Sequence, residues 1–180
     1  MLGCSQYHLA VAGGCAAKID LQISYAPTRY REVVLTAFCT VDGPRVSNYL
    51  SPMEITRIST PNAPRPAGHY SQGVVHNGLV FVSGQLSIDP QTGEKRLGSI
   101  EEQTEQALNN VHGILKAAGS DWDRVLKMTL FVADINLWEA VNKVYIRVLG
   151  DNRPARAIIP CGPLHYGFLI EIEAVAAIGR

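Results

Sequence analysis

The chain has 180 residues, with 16 Lys+Arg balancing 16 Asp+Glu and 47% hydrophobic residues. That is enough for the core of one ordinary domain, with room for an appendage. The balanced charge argues against a general affinity for nucleic acid or an anionic membrane, and no apolar run is long enough to span a bilayer.

Cys4, Cys15, Cys39 and Cys161 form no C-x-x-C pair, and His8, His69, His76, His112 and His165 have no ligand spacing. A disulfide framework and a metal site are both disfavoured.

Residues 1–52 read differently from the rest. The stretch 9–17 is small and apolar, but no basic residue precedes it, so it is a poor secretory signal. Ala12-Gly13-Gly14-Cys15 is only a faint lipoprotein-type cleavage sequence. Segments 21–25 and 33–38 have strand character, yet nothing downstream needs them. Met53 then opens a stretch that looks like a fresh N-terminus. The economical expectation is an N-terminal extension, 1–52, that is poorly ordered or a non-native start, followed by one domain over 53–180. A chain beginning at Met53 should keep fold, assembly and activity. With no secretory signal and no span, a cytoplasmic location is the corresponding expectation.

Residues 61–66 form a proline-rich lead-in. Residues 70–75 read as a strand, His76-Asn77-Gly78 as an Asn-Gly hairpin turn, and 79–86 as the return strand. Gly84 lets a ligand approach the backbone; a β-bulge is the commoner reason for a glycine in a strand. Asp89-Pro90-Gln91-Thr92-Gly93 is a turn. Ser99 and Glu102 form a capping box for a helix with Ala107, Leu108, Val111, Ile114, Leu115 and Ala118 on its inner face, stopped at Gly119. Residues 125–133 are a strand. Asn136 with Glu139 caps a second helix whose stripe is Leu137, Val141, Val144 or Tyr145, and Val148, ending at Gly150. Asn142 lies off the centre of that stripe, where most asparagines are simply solvated.

The last stretch carries the chemistry. Pro154 pushes Arg153 towards extended backbone and places Arg156 where a loop enters a strand. Past the Gly162-Pro163 turn, residues 168–176 form another strand. Ile170, Ile172, Ala174 and Ala176 share one face; Glu171, Glu173 and Val175 share the other. If the two strands pair, Arg156 and Glu171 face one cavity, and arginine holds a planar carboxylate by two parallel hydrogen bonds. A structural pair between Arg156 and Glu171 is the plainer alternative. The order β-β-α-β-α-β-β predicts an α+β mixed sheet with two helices packed on one face. The other, half-apolar face calls for a cover, most simply another copy of the chain.

No phosphate-binding lysine loop, dinucleotide fingerprint, zinc-protease helix or nucleophile elbow is present. Ser83 has no activating neighbours, and Cys161, beside a turn, reads as an inert thiol.

Asn62-Ala63-Pro64, Gly68-His69-Tyr70-Ser71-Gln72, Val82-Ser83-Gly84-Gln85, Asp89-Pro90-Gln91-Thr92-Gly93-Glu94, Glu102-Gln103-Thr104, Val141-Asn142-Lys143-Val144-Tyr145, Arg153-Pro154-Ala155-Arg156 and Ile170-Glu171-Ile172-Glu173-Ala174 follow one another in the chain. In that order they make residues 53–180 resemble the reactive intermediate deaminases, the RidA or YjgF family. The resemblance implies a chorismate-mutase-like fold and a homotrimer with sites between subunits. It implies cofactor-free hydrolysis of enamines or imines, such as 2-aminoacrylate, to a 2-keto acid and ammonia. It assigns Arg156 to the substrate carboxylate and Glu171 to the water, and it puts Tyr70, Ser83, Gly84 and Asn142 in the pocket. Such chemistry needs orientation and one water rather than a strong nucleophile. His69 stands where the family usually has Pro. Ala157-Ile158 replaces a common Ser-Cys or Thr-Cys, which predicts a more apolar pocket at Ile158.

Two other functions fit parts of this pattern. A non-catalytic sensor of small carboxylates would use the same arginine. An endoribonuclease would need a basic stripe with interleaved aromatics, which the sequence lacks.

Overall fold

The computed structural model describes residues 54–179 and, of the residues before them, the backbone of three strands. The chain divides into two compact units, Met1–Tyr49 and Leu50–Arg180. In the first, β1 (Gln6–Ala10), β2 (Ala16–Tyr25) and β3 (Val33–Cys39) form an antiparallel sheet in that order. The two segments with strand character lie within β2 and β3. The rest of what the sequence suggests for residues 1–52 falls outside the described residues.

The second unit runs β4 (Thr56–Ile58), β5 (Gly73–His76), β6 (Leu79–Gln85), α1 (Ile100–Ala117), β7 (Val125–Val132), α2 (Trp138–Leu149), β8 (Ala155–Pro160) and β9 (Ile170–Ala177). Its six strands are ordered β4-β5-β6-β9-β7-β8. The β7–β8 pair is parallel, with α2 as the crossover, and the other pairs are antiparallel. This is the expected α+β fold, with one addition: the short edge strand β4, too brief to show a pattern.

Local chemistry explains most of the elements. Asn77 (φ 49°) and Gly78 (φ 76°) both adopt left-handed backbone, the conformation a two-residue hairpin turn demands. Both arms of the Ser99–Glu102 capping box are made. α2 starts differently from the expectation. Asp134, not Asn136, supplies the cap: its carboxylate accepts from the Asn136 N–H at the head of a 3₁₀ turn, and Leu137 precedes α2 without a side-chain cap. Residues 70–72 precede β5 rather than belong to it, and β9 starts at Ile170, after a 3₁₀ turn at His165–Gly167.

One face of the sheet carries the core. Val80, Val82, Met128, Leu130, Val132, Ile170, Ile172, Ala174 and Ala176 are buried with Leu108, Val111, Ile114 and Leu115 of α1 and Val141, Val144 and Leu149 of α2. On the opposite face Phe81 and Ile159 are exposed.

Buried side-chain amides fix the loops. Gln72 accepts from the Thr60 N–H (2.6 Å) and donates to the carbonyls of Thr60, Ala63 and Pro64 at 3.0, 2.9 and 2.9 Å, so it sets the course of the proline-rich lead-in. That lead-in crosses α1 at Gly113. A Cβ there would lie 2.2 Å from the Asn62 carbonyl oxygen. Gly113→Ala should therefore lower the melting temperature. The helix-propensity gain of about 1 kcal/mol is outweighed by a backbone clash of about 1–3 kcal/mol. Thermal unfolding that showed the alanine variant to be more stable would refute this.

Candidate functional site

Arg156 lies near the start of β8, in register with Met128 of β7 and, through it, with Ala174 of β9. Its side chain therefore emerges on the helix-bearing face. There its Nη1 donates to Asn142 Oδ1 at 2.9 Å, and its guanidinium carbon sits 4.7 Å from the centre of the Tyr145 ring. Asn142 is thus a partner of the arginine rather than a solvated residue of α2. Both contacts aim an exposed guanidinium outward.

Glu171 lies on the other face, in register with Phe131 and Ile159. It lines a cavity of about 540 Å³ together with Tyr70, Ser83, Gly84, Gln85, Leu86, Ile88, His165 and Tyr166, and with Pro64, Arg65, Ala67 and Gly68 of the lead-in. Burial pushes the Glu171 carboxyl above its ordinary value; His165 pulls it back in part, and Glu173 adds to the rise.

Gly84 explains how the carboxylate reaches the cavity. The β6–β9 register slips between Val82 and Gln85, so Ser83 and Gly84 form a bulge. A Cβ on Gly84 would lie 1.9 Å from Glu171 Oε1. The bulge brings bare backbone beneath the carboxylate. Gln85 braces it by donating to the carbonyls of Ser83 (3.0 Å) and Gly84 (3.1 Å). The Ser83 hydroxyl is engaged with the Ser71 carbonyl at 2.7 Å, and the Tyr70 hydroxyl accepts from the Ala67 N–H at 3.3 Å.

The condition that would have joined Arg156 and Glu171 in one chain is not met. β7 separates β8 from β9, and the two side chains leave opposite faces of the sheet. The plainer alternative fails for the same reason. Among the described residues the ion pairs are Arg96–Asp89, His112–Asp121, Lys116–Asp121 and Arg147–Glu105, and neither Arg156 nor Glu171 takes part. Ile158 is in register with Leu130, so it shares the face of Arg156, two residues away, and packs at the margin of the core.

Sequence reasoning missed Arg65, His165 and Tyr166 as cavity residues. His165 has no ligand spacing in the sequence, and no periodicity marks a 3₁₀ turn. Among the described residues, no group of three or more His, Cys, Asp or Glu side chains gathers to hold a metal, and no helix is long and apolar enough to cross a membrane.

The sequence model of the family described as Endoribonuclease L-PSP matches residues 60–178. The chain belongs to this family. It is the YjgF/RidA family of the motif resemblance. Among L-PSP relatives, the human 2-iminobutanoate/2-iminopropanoate deaminase is 44% identical over 122 residues, covering 68% of this chain and 89% of that protein. The solved structure of the E. coli YjgF gene product is 36% identical with a TM-score of 0.65, covering 68% of this chain and 98% of its own. E. coli TdcF, solved with bound serine, is 35% identical with a TM-score of 0.66, covering 69% of this chain and 99% of its own. The matched residues, 60–178, lie within the second compact unit.

Proposed function

We propose that the protein is a cofactor-independent enamine/imine deaminase that hydrolyses 2-imino acids to 2-keto acids and ammonia. The observation that carries this reading is the division of the expected groups between two faces of one chain. Glu171, Tyr70, Ser83 and Gly84 stand around a cavity; Arg156 and Asn142 stand together on the opposite face. Two copies place one face against the other, and a closed ring of three, the homotrimer, repeats that contact at each interface. The exposed Phe81 and Ile159 favour such a cover. The family relationship, including a human deaminase of 2-imino acids, points to the same chemistry.

In this scheme Arg156 of one subunit holds the substrate carboxylate, oriented by Asn142 and the Tyr145 ring. Glu171 of the next subunit accepts a proton from a water. The water oxygen bonds to the imine carbon while the nitrogen takes up a proton, giving a carbinolamine. Glu171 then relays the hydroxyl proton to the amine nitrogen as the C–N bond breaks and the C=O bond forms, and the products are keto acid and ammonia. A carboxyl held above its ordinary value is suited to passing that proton in both directions. The activity belongs to residues 53–180, and the compartment is the cytoplasm.

The test is keto-acid release from freshly generated 2-aminoacrylate. Turnover above the spontaneous rate supports the proposal, and tight keto-acid binding without turnover makes the protein a carboxylate sensor. The family's description keeps a second reading open to experiment. Cleavage of RNA, with binding that weakens steeply as salt rises, would favour an endoribonuclease.

A further inference from the structure

Tyr166 occupies a backbone conformation that its side chain disfavours. Among the described residues only Asn77 and Tyr166 are non-glycine residues at positive φ, and Tyr166 sits at φ 58°, ψ 14°. Asparagine tolerates that region; a bulky residue rarely enters it. Three contacts hold the tyrosine there. Gly167 continues the left-handed turn at φ 79°. Phe168, which is buried, meets the Tyr166 ring edge-on at 6.3 Å between centroids. The Lys95 ammonium stands 4.0 Å from the ring centre. Lys95 is itself fixed by an antiparallel bridge to Ile88. The carbonyls of Leu86 and Ile88 each accept from Asn110 Nδ2 at 2.9 Å. The ring and the segment 86–88 are thus clasped together, and both line the Glu171 cavity. A strained backbone held by its surroundings points to a role in the site.

We infer that Tyr166, with Leu86 and Ile88, forms a side-chain subsite that selects 2-imino acids bearing a bulky apolar side chain. The inference rests on the deaminase reading and adds the substrate class to it. A three-carbon imino acid uses only the carboxylate and water positions and leaves this wall untouched. A branched or aromatic side chain covers it. Each methylene that such a pocket buries is worth about tenfold or more in selection.

The experiment compares kcat/KM for imines generated from alanine, leucine, phenylalanine and glutamate. The wild-type protein should favour the leucine and phenylalanine imines over the alanine imine by about tenfold or more. Tyr166→Ala should bring that ratio close to one, and an unchanged melting temperature reports intact folding. Tyr166→Phe keeps the ring and should keep the ratio. An unchanged ratio in Tyr166→Ala overturns the inference. So does a wild-type preference for the glutamate imine, which would assign the cavity to Arg65 and His165 instead. If wild-type protein hydrolyses no imine, the deaminase reading fails, and the subsite is judged by calorimetry with pyruvate and 4-methyl-2-oxopentanoate. Tighter binding of the longer acid that is lost in Tyr166→Ala sustains the subsite; equal or absent binding overturns it.

Discussion

Replacing Arg156 with alanine is expected to slow 2-imino acid hydrolysis by about 30-fold to several thousand-fold and to leave the melting temperature nearly unchanged. The range follows from a lost charged hydrogen-bond pair, about 2–5 kcal/mol, at about 1.4 kcal/mol per decade of rate. Stability should hold because the guanidinium is exposed and its contacts are one hydrogen bond to Asn142 and the face of Tyr145. Lysine keeps the charge but not the two-pronged geometry, and it gives up the planar stacking on Tyr145, so Arg156→Lys should recover only part of the rate. Binding of a keto-acid product should weaken in step. An Arg156→Ala protein with wild-type product affinity would remove the arginine from the carboxylate site.

Glu171→Gln is expected to abolish most turnover, yet to leave keto-acid binding nearly intact, because the carboxylate handles water. The pH behaviour separates this from a structural role. Burial raises the Glu171 pKa in the folded protein above its unfolded value. The protonated form is therefore favoured on folding. That contribution to stability is present below the unfolded value and is lost as pH rises through the folded one. Activity runs the opposite way, since the base must be ionised. Wild-type kcat/KM should fall on the acid side at a pH above that of an ordinary glutamate. In Glu171→Gln that limb should vanish, while the melting temperature at neutral pH equals or exceeds that of wild type. Gly84→Ala offers a second route to the same end, since its methyl group would occupy the place of Glu171 Oε1. The carboxylate can swing aside, so the fold should survive while turnover drops. A Glu171→Gln protein with full activity, or one that melts far below wild type, would refute the assignment.

Periodicity and punctuation carried most of the fold. The alternation of residues 170–176 matches a strand buried on one side, the Asn77-Gly78 turn has the backbone its residues favour, and the Ser99 capping box is fully made. Each of those signals is local. The order of strands is not. Nothing in the sequence near Arg156 or Glu171 says that β7 inserts between β8 and β9, because the choice depends on α2 crossing from β7 to a parallel neighbour. The candidate site suffered for that reason: the residue types were legible, and their placement on opposite faces of the sheet was not. Gln72 and Gln103 show the same limit. Their sequence neighbours do not reveal that Gln72 binds a loop twelve residues away, or that Gln103 accepts from the Leu169 N–H. The 3₁₀ turn holding Tyr166 has too few residues to show any period.

The sheet that separates Arg156 from Glu171 gives the proposed arrangement a genetic signature. A chain with a lesion at Arg156 retains a sound Glu171 cavity, and a chain with a lesion at Glu171 retains a sound Arg156. Each can lend its intact face to the other in a mixed assembly. Two alleles of this one gene, each null by itself, should therefore complement when they are co-expressed. Lesions that both fall on the cavity side, such as those at Glu171 and Gly84, should not.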